Sequence, residues 1–301
     1  MTAHLLEIAD LSTGDVRTVL DVATAAPERL GQPLARTGVA LLFEKPSTRT
    51  RHSMEMAVVQ LGGHPVYTRG DEVGFDVRES VEDVTRILQG YHGMLAARVF
   101  DHGVLERMVQ VADVPVVNML SDRAHPLQAL ADALTMEQAI GPLNGRTVAW
   151  VGDYNNVARS LAEVCVLLGA HVRLACPVGY DADPSELERL ALLGTGDVLQ
   201  SHRPAEAVQG ADAVHADTWV SMGQEDDEEA RKQAFEGFTV DDALMAGAAP
   251  SAVFMHCLPA HRGLEVAPNV IDGPRSVVFR QGHNRLHSAR AALAWLAGVR
   301  P

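Results

Sequence analysis

The chain has 301 residues, 47% of them hydrophobic and 21% charged, with 25 Lys plus Arg against 39 Asp plus Glu and a formal net charge of −14. These proportions exclude a disordered chain and allow two ordinary domains, each with its own buried core. So acidic a surface repels nucleic acid and anionic membrane, and a small anionic substrate would need arginines gathered at one place.

At the start of the chain Glu7 and Asp10 stand where a secretory signal would be apolar, and no run reaches the roughly 18 apolar residues that span a bilayer. Residues 12–25 predict a helix with Ser12 as its N-cap. Residues 38–43 form a short apolar run, the pattern of a buried strand. Ser47-Thr48-Arg49-Thr50-Arg51 follows, then a helical pattern that stops at Gly62-Gly63. A strand near 65–67, a helix at 81–89 and strands at 94–99 and 114–118 come next, and His125-Pro126-Leu127-Gln128 leads a helical pattern over 129–137.

Gly141-Pro142 and Asn144-Gly145 punctuate the chain and mark a boundary within 140–145. Beyond it, predicted strands at 146–151, 171–175, 213–216, 253–256 and 277–279 alternate with helices, 156–168 among them, and a final helix covers about 286–297. Such alternation implies an α/β fold: two domains, each a mostly parallel sheet flanked by helices, with the active site in the cleft between them. The expected domains are 1–140 and 141–285, with the helix of 286–301 packing back on the first. Cys165, Cys176 and Cys257 are an odd number without metal-ligand spacing, which points to a reducing cytoplasm and to no disulfide framework.

Ser47 to Arg51 sits where a strand gives way to a helix, and the free N–H groups and dipole of a helix N-terminus attract anions. An ordinary cap beside solvated arginines explains any one of these residues. Five together, directly after a buried strand, point to a phosphate cradle of hydroxyl donors and an Arg fork. Arg98 ends an apolar strand, where a charge is costly unless it is paired or meets a ligand. The turn Gly152-Asp153-Tyr154-Asn155-Asn156-Val157 opens the second domain as a dinucleotide-binding unit would, but without that fingerprint's second and third glycines, which argues against an NAD-dependent dehydrogenase. Asp217 follows a strand and can accept a hydrogen bond from an ammonium group. Alone, His125 before a proline reads as a turn histidine, and Cys257 at a strand end as a small buried residue.

Taken together, residues 43–51 resemble the carbamoyl phosphate motif of the aspartate/ornithine transcarbamylase family, and the Phe-Glu-Lys-Pro prefix is closer to its ornithine branch. His125-Pro126-Leu127-Gln128 resembles the family's His-Pro-x-Gln, Asp217 to Gly223 its Asp-x-x-x-Ser-Met-Gly, His256-Cys257-Leu258-Pro259 its His-Cys-Leu-Pro, and Asn284-Arg285-Leu286-His287 its Asn-Arg-x-His. The resemblance implies that Ser47, Thr48, Arg49 and Thr50 hold the phosphate, that Arg98 binds phosphate and carbonyl oxygens, and that His125, Gln128, Cys257, Leu258 and Arg285 complete the carbamoyl phosphate site. It assigns Asn156, Asp217, Ser221 and Met222 to ornithine, and catalysis to Arg98, His125, Asp217, Cys257 and Arg285. The implied reaction moves a carbamoyl group from carbamoyl phosphate to the side-chain amine of L-ornithine, giving L-citrulline and phosphate. It needs no metal and no organic cofactor, and the implied assembly is a cytoplasmic homotrimer or a multiple of it, with no nucleic-acid or membrane partner. The alternatives are a transcarbamylase with another amine acceptor and a non-catalytic ligand sensor on the same fold. Two departures stand out: His283 where the family often has Glu, and an acidic segment at 69–78 where it offers Gln or His to a neighbouring subunit's phosphate.

Overall fold

The computed structural model describes residues 3–220 and 225–301. Among the described residues nine strands form two sheets, and every strand pairing is parallel. The first sheet contains β1 (Gly38–Phe43), β2 (His64–Arg69), β3 (Met94–Arg98) and β4 (Val116–Leu120), in the order β2-β1-β3-β4. The second contains β5 (Thr147–Val151), β6 (His171–Ala175), β7 (Asp197–Ser201), β8 (Ala213–Ala216) and β9 (Val253–His256), in the order β7-β6-β5-β8-β9.

Counting those of eight residues or more among the described residues, the helices are α1 (Thr13–Thr24), α2 (Thr48–Gln60), α3 (Val81–Leu88), α4 (His102–Val111), α5 (Pro126–Ile140), α6 (Asn156–Leu167), α7 (Pro184–Ala191) and α8 (Val278–Leu296). Ser12 caps α1 by accepting the Asp15 N–H at 3.1 Å, while Asp15 reaches back to the Ser12 N–H. The chain divides into two compact units, Met1–Ala131 with Asn284–Pro301 and Asp132–His283, so each of α5 and α8 contributes residues to both.

Each unit has its own core. In the first, Leu42, Leu95 and Ala97 of the central strands pack with Val81, Leu105 and Met108. In the second, Ala149, Val214 and Phe254 pack with Trp219, Phe235 and Val240. The wholly buried Trp150 stacks on His215, ring centroids 5.1 Å apart, and its indole N–H donates to the Asp153 carbonyl at 2.9 Å.

Two readings of the sequence need correction. Residues 277–279 are not a strand: Ser276 makes one parallel bridge to Phe254 and the Val277 N–H donates to its carbonyl at 3.0 Å, after which Val278 opens α8. Two adjacent valines cannot by themselves distinguish a strand from the first turn of a helix. Conversely, β7 was absent from the sequence reading because it is an edge strand of alternating exposure, carrying Asp197, Gln200 and Ser201.

Burial holds four histidines of the first unit, His4, His92, His102 and His125, below their ordinary pKa of about 6.5. The unfolded chain binds protons at these sites below pH 6.5 while the folded chain stays neutral. The stabilisation is therefore full above about pH 6.5 and is lost as pH falls through the lower folded-state values. The melting temperature is expected to be lower at pH 5.5 than at pH 7.5, with a smaller drop in His102→Gln; equal melting temperatures would refute this.

Candidate active site

In the first unit, α2 begins one residue after its N-cap. Ser47 accepts the Thr50 N–H at 3.3 Å and donates its own hydroxyl to Thr50 Oγ1 at 3.1 Å. The earlier N–H groups of such a turn have no intrahelical acceptor, and with the helix dipole they favour an anion. Thr48 and Arg49 are exposed and Thr50 is buried. Arg51, by contrast, is engaged along the helix: it donates to Glu55 at 2.9 Å and stacks on the Tyr67 ring at 3.8 Å. The loop before α2 is pinned to the end of β3, because the Glu44 N–H donates to the Arg98 carbonyl at 2.9 Å and Glu44 Oε2 accepts the Phe100 N–H at 3.0 Å. It also packs on Gly70, where an added Cβ would lie 2.8 Å from Glu44 Cα.

Two buried guanidinium groups converge on this helix start. Arg285 on α8 donates to Thr50 Oγ1 at 2.8 Å, and Arg98 Nη1 stands 3.5 Å from the same oxygen. Their relative exposures are 7% and 6%, so their charges reinforce each other in a poorly solvated place and favour an anion. Arg285 also hydrogen-bonds Gln128, and its Nη1 lies 3.4 Å from His125 Nε2. Burial first, then Arg285 and Arg98, hold the His125 imidazole well below its ordinary pKa. It is therefore a neutral hydrogen-bonding group and adds no third charge. The sequence-predicted Ser47, Thr50, Arg98, His125, Gln128 and Arg285 are thus brought together.

In the second unit, β8 and β9 deliver Asp217 and Cys257 side by side. The Asp217 carboxylate accepts from the Cys257 thiol at 2.9 Å, from its neighbour's Thr218 N–H at 2.8 Å and from Asn155 Nδ2 at 2.9 Å. Asn155 was missed by the sequence reading. The signal was available, since an Asn just before a helix is a strong N-cap, and here its Oδ1 accepts the N–H groups of Val157 and Ala158 at 3.0 Å each. Asn156 is the first residue of α6, partly buried in the same turn.

The turn itself is braced from two sides. Asp153 accepts from Arg231 at 2.8 Å, and the Tyr154 hydroxyl donates to Glu186 at 2.8 Å. Burial opposes ionisation of Glu186, but hydrogen bonds from Arg189 and Tyr154 bring its pKa down to about 2.

Leu258 adopts a left-handed backbone with φ +58, costly for a branched side chain, and its N–H donates to His256 Nδ1 at 2.9 Å. The donor atoms of Asp217, His256 and Cys257 lie within 4.8 Å of one another, a set that could also hold a thiophilic divalent cation. Ser221 and Met222 lie outside the described residues. The departure at His283 is resolved by helix geometry: it is exposed on α8 while Arg285 is buried. In the segment 69–78, Arg69 pairs with Asp71 and Arg78 Nη1 donates to the Glu72 carbonyl at 3.1 Å, so both cations are engaged locally.

Two family models match the chain. The "Aspartate/ornithine carbamoyltransferase, carbamoyl-P binding domain" covers residues 3–138, and the "Aspartate/ornithine carbamoyltransferase, Asp/Orn binding domain" covers residues 144–296. The chain is 47% identical over 298 residues to an ornithine carbamoyltransferase of Thermus thermophilus, covering 97% of this chain and 96% of that protein. It superposes on the ornithine carbamoyltransferase structure from Pyrococcus furiosus with a TM-score of 0.93 at 40% identity, covering 100% of this chain and 98% of the other. An N-acetyl-L-ornithine transcarbamylase variant superposes at 0.88 with 29% identity, covering 98% and 99%, so overall fold does not by itself select the acceptor.

If the start of α2 is an anion site, Arg49→Ala should weaken inorganic phosphate binding by about one to two powers of ten, the loss of one charge-assisted contact. Asp217→Asn, in the other unit, should leave it nearly unchanged. Calorimetric titration separates the two, and an Arg49→Ala protein that binds phosphate as the parent does would reduce the cluster to a helix cap.

Proposed function

The chain belongs to the aspartate/ornithine carbamoyltransferase family, and from that premise we infer that it transfers the carbamoyl group of carbamoyl phosphate to the side-chain amine of L-ornithine, giving L-citrulline and phosphate. The observation that carries this reading is the convergence of Arg98 and Arg285 on Thr50 at the α2 N-terminus, beside a neutral His125 and Gln128. It is suited to a small ligand that joins a phosphate to a carbonyl. Ser47, Thr48, Arg49 and Thr50 take the phosphate, Arg98 reaches both phosphate and carbonyl oxygens, and His125, Gln128 and Arg285 take the carbonyl end.

In the reaction the amine nitrogen attacks the carbonyl carbon, an N–C bond forms, and the carbonyl oxygen gathers negative charge. Donors already aimed at that oxygen lower the barrier. The C–O bond to phosphorus then breaks and phosphate leaves with the electron pair. The amine must first lose a proton, since in water its pKa is about 10.4. We assign the acceptor side to Asp217 and Cys257, Leu258 together with Cys257 to the edge of the carbamoyl phosphate site, and the amino-acid end to Asn156, Ser221 and Met222. The carboxylate can hold the ammonium and receive its proton in a network that includes the Cys257 thiol. Because the oxyanion donors are present as a set, catalysis is favoured over a ligand sensor, which needs none.

With purified protein and carbamoyl phosphate, L-ornithine should exceed aspartate, putrescine and N-acetylornithine in ureido product formation by orders of magnitude. Comparable turnover of any of these would sink the acceptor assignment.

The assembly we propose is a homotrimer. Its support is the number of exposed apolar side chains on the first unit, Met56, Val59, Val66, Ile87, Tyr91 and Phe100, some of which self-association would cover. Light scattering should return three chain masses or a multiple of three, and a monomer at working concentration would refute it. Among the described residues no disulfide joins Cys165, Cys176 or Cys257, which supports a cytoplasmic enzyme.

A further inference from the structure

Gln281 is not among the groups assigned to either substrate, yet its side chain lies at a crossing point of the second unit. It is wholly buried, in the first turns of α8. Its Oε1 accepts the backbone N–H of His256 at 2.9 Å, and its Nε2 donates to Asp132 Oδ1 at 2.7 Å and meets His215 Nε2 at 2.9 Å. The amide can sit only one way round, because the His256 N–H is a donor and needs the oxygen. Its two N–H bonds then need two acceptors, which makes His215 Nε2 an acceptor and puts that ring's proton on Nδ1.

These contacts tie together the two strand ends that matter. Ala216 of β8 and His256 of β9 are the last register pair between those strands. Beyond that pair Asp217 and Cys257 lie past the ends of the two strands, joined to each other by the thiol–carboxylate hydrogen bond at 2.9 Å. Gln281 holds β9 by the His256 backbone and β8 by the His215 ring, two residues before Asp217. A buried amide between an acid and an imidazole is costly unless all its bonds are made, and apolar packing would fill the same space at less cost.

We propose that Gln281 is a positioning residue for the acceptor side: by clasping the ends of β8 and β9 it sets the distance between the Asp217 carboxylate and the Cys257 thiol. This rests on the assignment of those two groups to the acceptor amine.

The test is an exchange of acid and amide. Gln281→Glu puts a second carboxylate against Asp132. In the double variant Asp132→Asn/Gln281→Glu, the new amide donates to the introduced carboxylate, whose other oxygen accepts from the His256 N–H, and His215 moves its proton to Nε2 to donate. Three measurements are made on the full-length protein: kcat/KM for ornithine at saturating carbamoyl phosphate, titration with carbamoyl phosphate alone, and the alkylation rate of Cys257 by iodoacetamide in the ligand-free enzyme. Cys165 and Cys176 are buried, so alkylation reports on Cys257.

The single variant Gln281→Glu should lose about tenfold to hundredfold in kcat/KM for ornithine, as expected for a broken buried hydrogen-bond set. Its carbamoyl phosphate affinity should be little changed and its Cys257 should be alkylated faster. Both altered values should return towards the parent's in the double variant. Parent-like values in the single variant, or a double variant no better than the single, would overturn the clasp. Should the single variant fail to fold, the double decides: folded and active supports the proposal, while unfolded or folded without ornithine turnover overturns it. A parent enzyme that does not carbamoylate ornithine overturns the functional reading instead, and the alkylation rates then judge the clasp alone.

Discussion

All strands within each sheet run the same way, and the placement of every proposed functional group depends on that. Parallel pairing collects the carboxyl ends of the strands along one edge, and a ligand site forms where the strand order reverses direction. In the first sheet the reversal falls between β1 and β3, whose ends carry the α2 cradle and Arg98. In the second it falls between β5 and β8, whose ends carry the Asn155 turn and Asp217. The Arg98 approach to Thr50 and the Asn155 hydrogen bond to Asp217 are therefore the same event in two sheets: side chains carried at, or shortly after, the ends of the two strands flanking a switch point meet there. β4 and β9 lie one strand further out and add His125 and Cys257.

Charge is divided between the two sets in a way that suits the two substrates. A chain with a net charge of −14 still places two arginines at a single buried hydroxyl in the first unit. Keeping His125 neutral there limits the cost of that concentration, because a third cation in the same low-dielectric place would repel the other two. In the second unit the order is inverted. One buried carboxylate, Asp217, is surrounded by neutral donors, an amide, a thiol and a backbone N–H, so its charge is stabilised without being cancelled by a cation. Such a carboxylate keeps its attraction for an ammonium group.

How much was legible in the sequence depended on whether the signal was local. The strands β1, β6, β8 and β9 and the N-cap of α1 could be read because short apolar runs and Ser-x-x-Asp spacing are properties of adjacent residues. Ser47, Thr50, Arg98 and His125 were legible as motifs, and the structure adds their meeting point, which involves residues up to 235 positions apart. What could not be read was side-chain direction. Arg49 and Arg51 look alike in sequence, and only the ring of Tyr67 and the carboxylate of Glu55 show that the second is engaged elsewhere. Gln281 gave no signal at all, since a single Gln in a helix is ordinary until its three partners are known.

Two helix N-termini in this fold begin alike, after a parallel strand, and are finished differently. At α2, Ser47 caps only the Thr50 N–H, and the turn is surrounded by Arg49, Arg98 and Arg285, so donors and cations remain for a phosphate. At α6, Asn155 takes two N–H groups into its own side-chain oxygen and turns its amide towards a carboxylate. A pyrophosphate brought to α6 would have to displace that cap and would meet Asp217 instead of an arginine. The missing glycines of the β5–α6 turn therefore reflect a change of ligand charge as well as of space: Asp153, Tyr154 and Asn155 are each committed to a partner, Arg231, Glu186 and Asp217 in turn. A dinucleotide needs that turn open and electropositive. A cationic amino acid needs it closed and carrying a carboxylate, which is the form this chain has adopted.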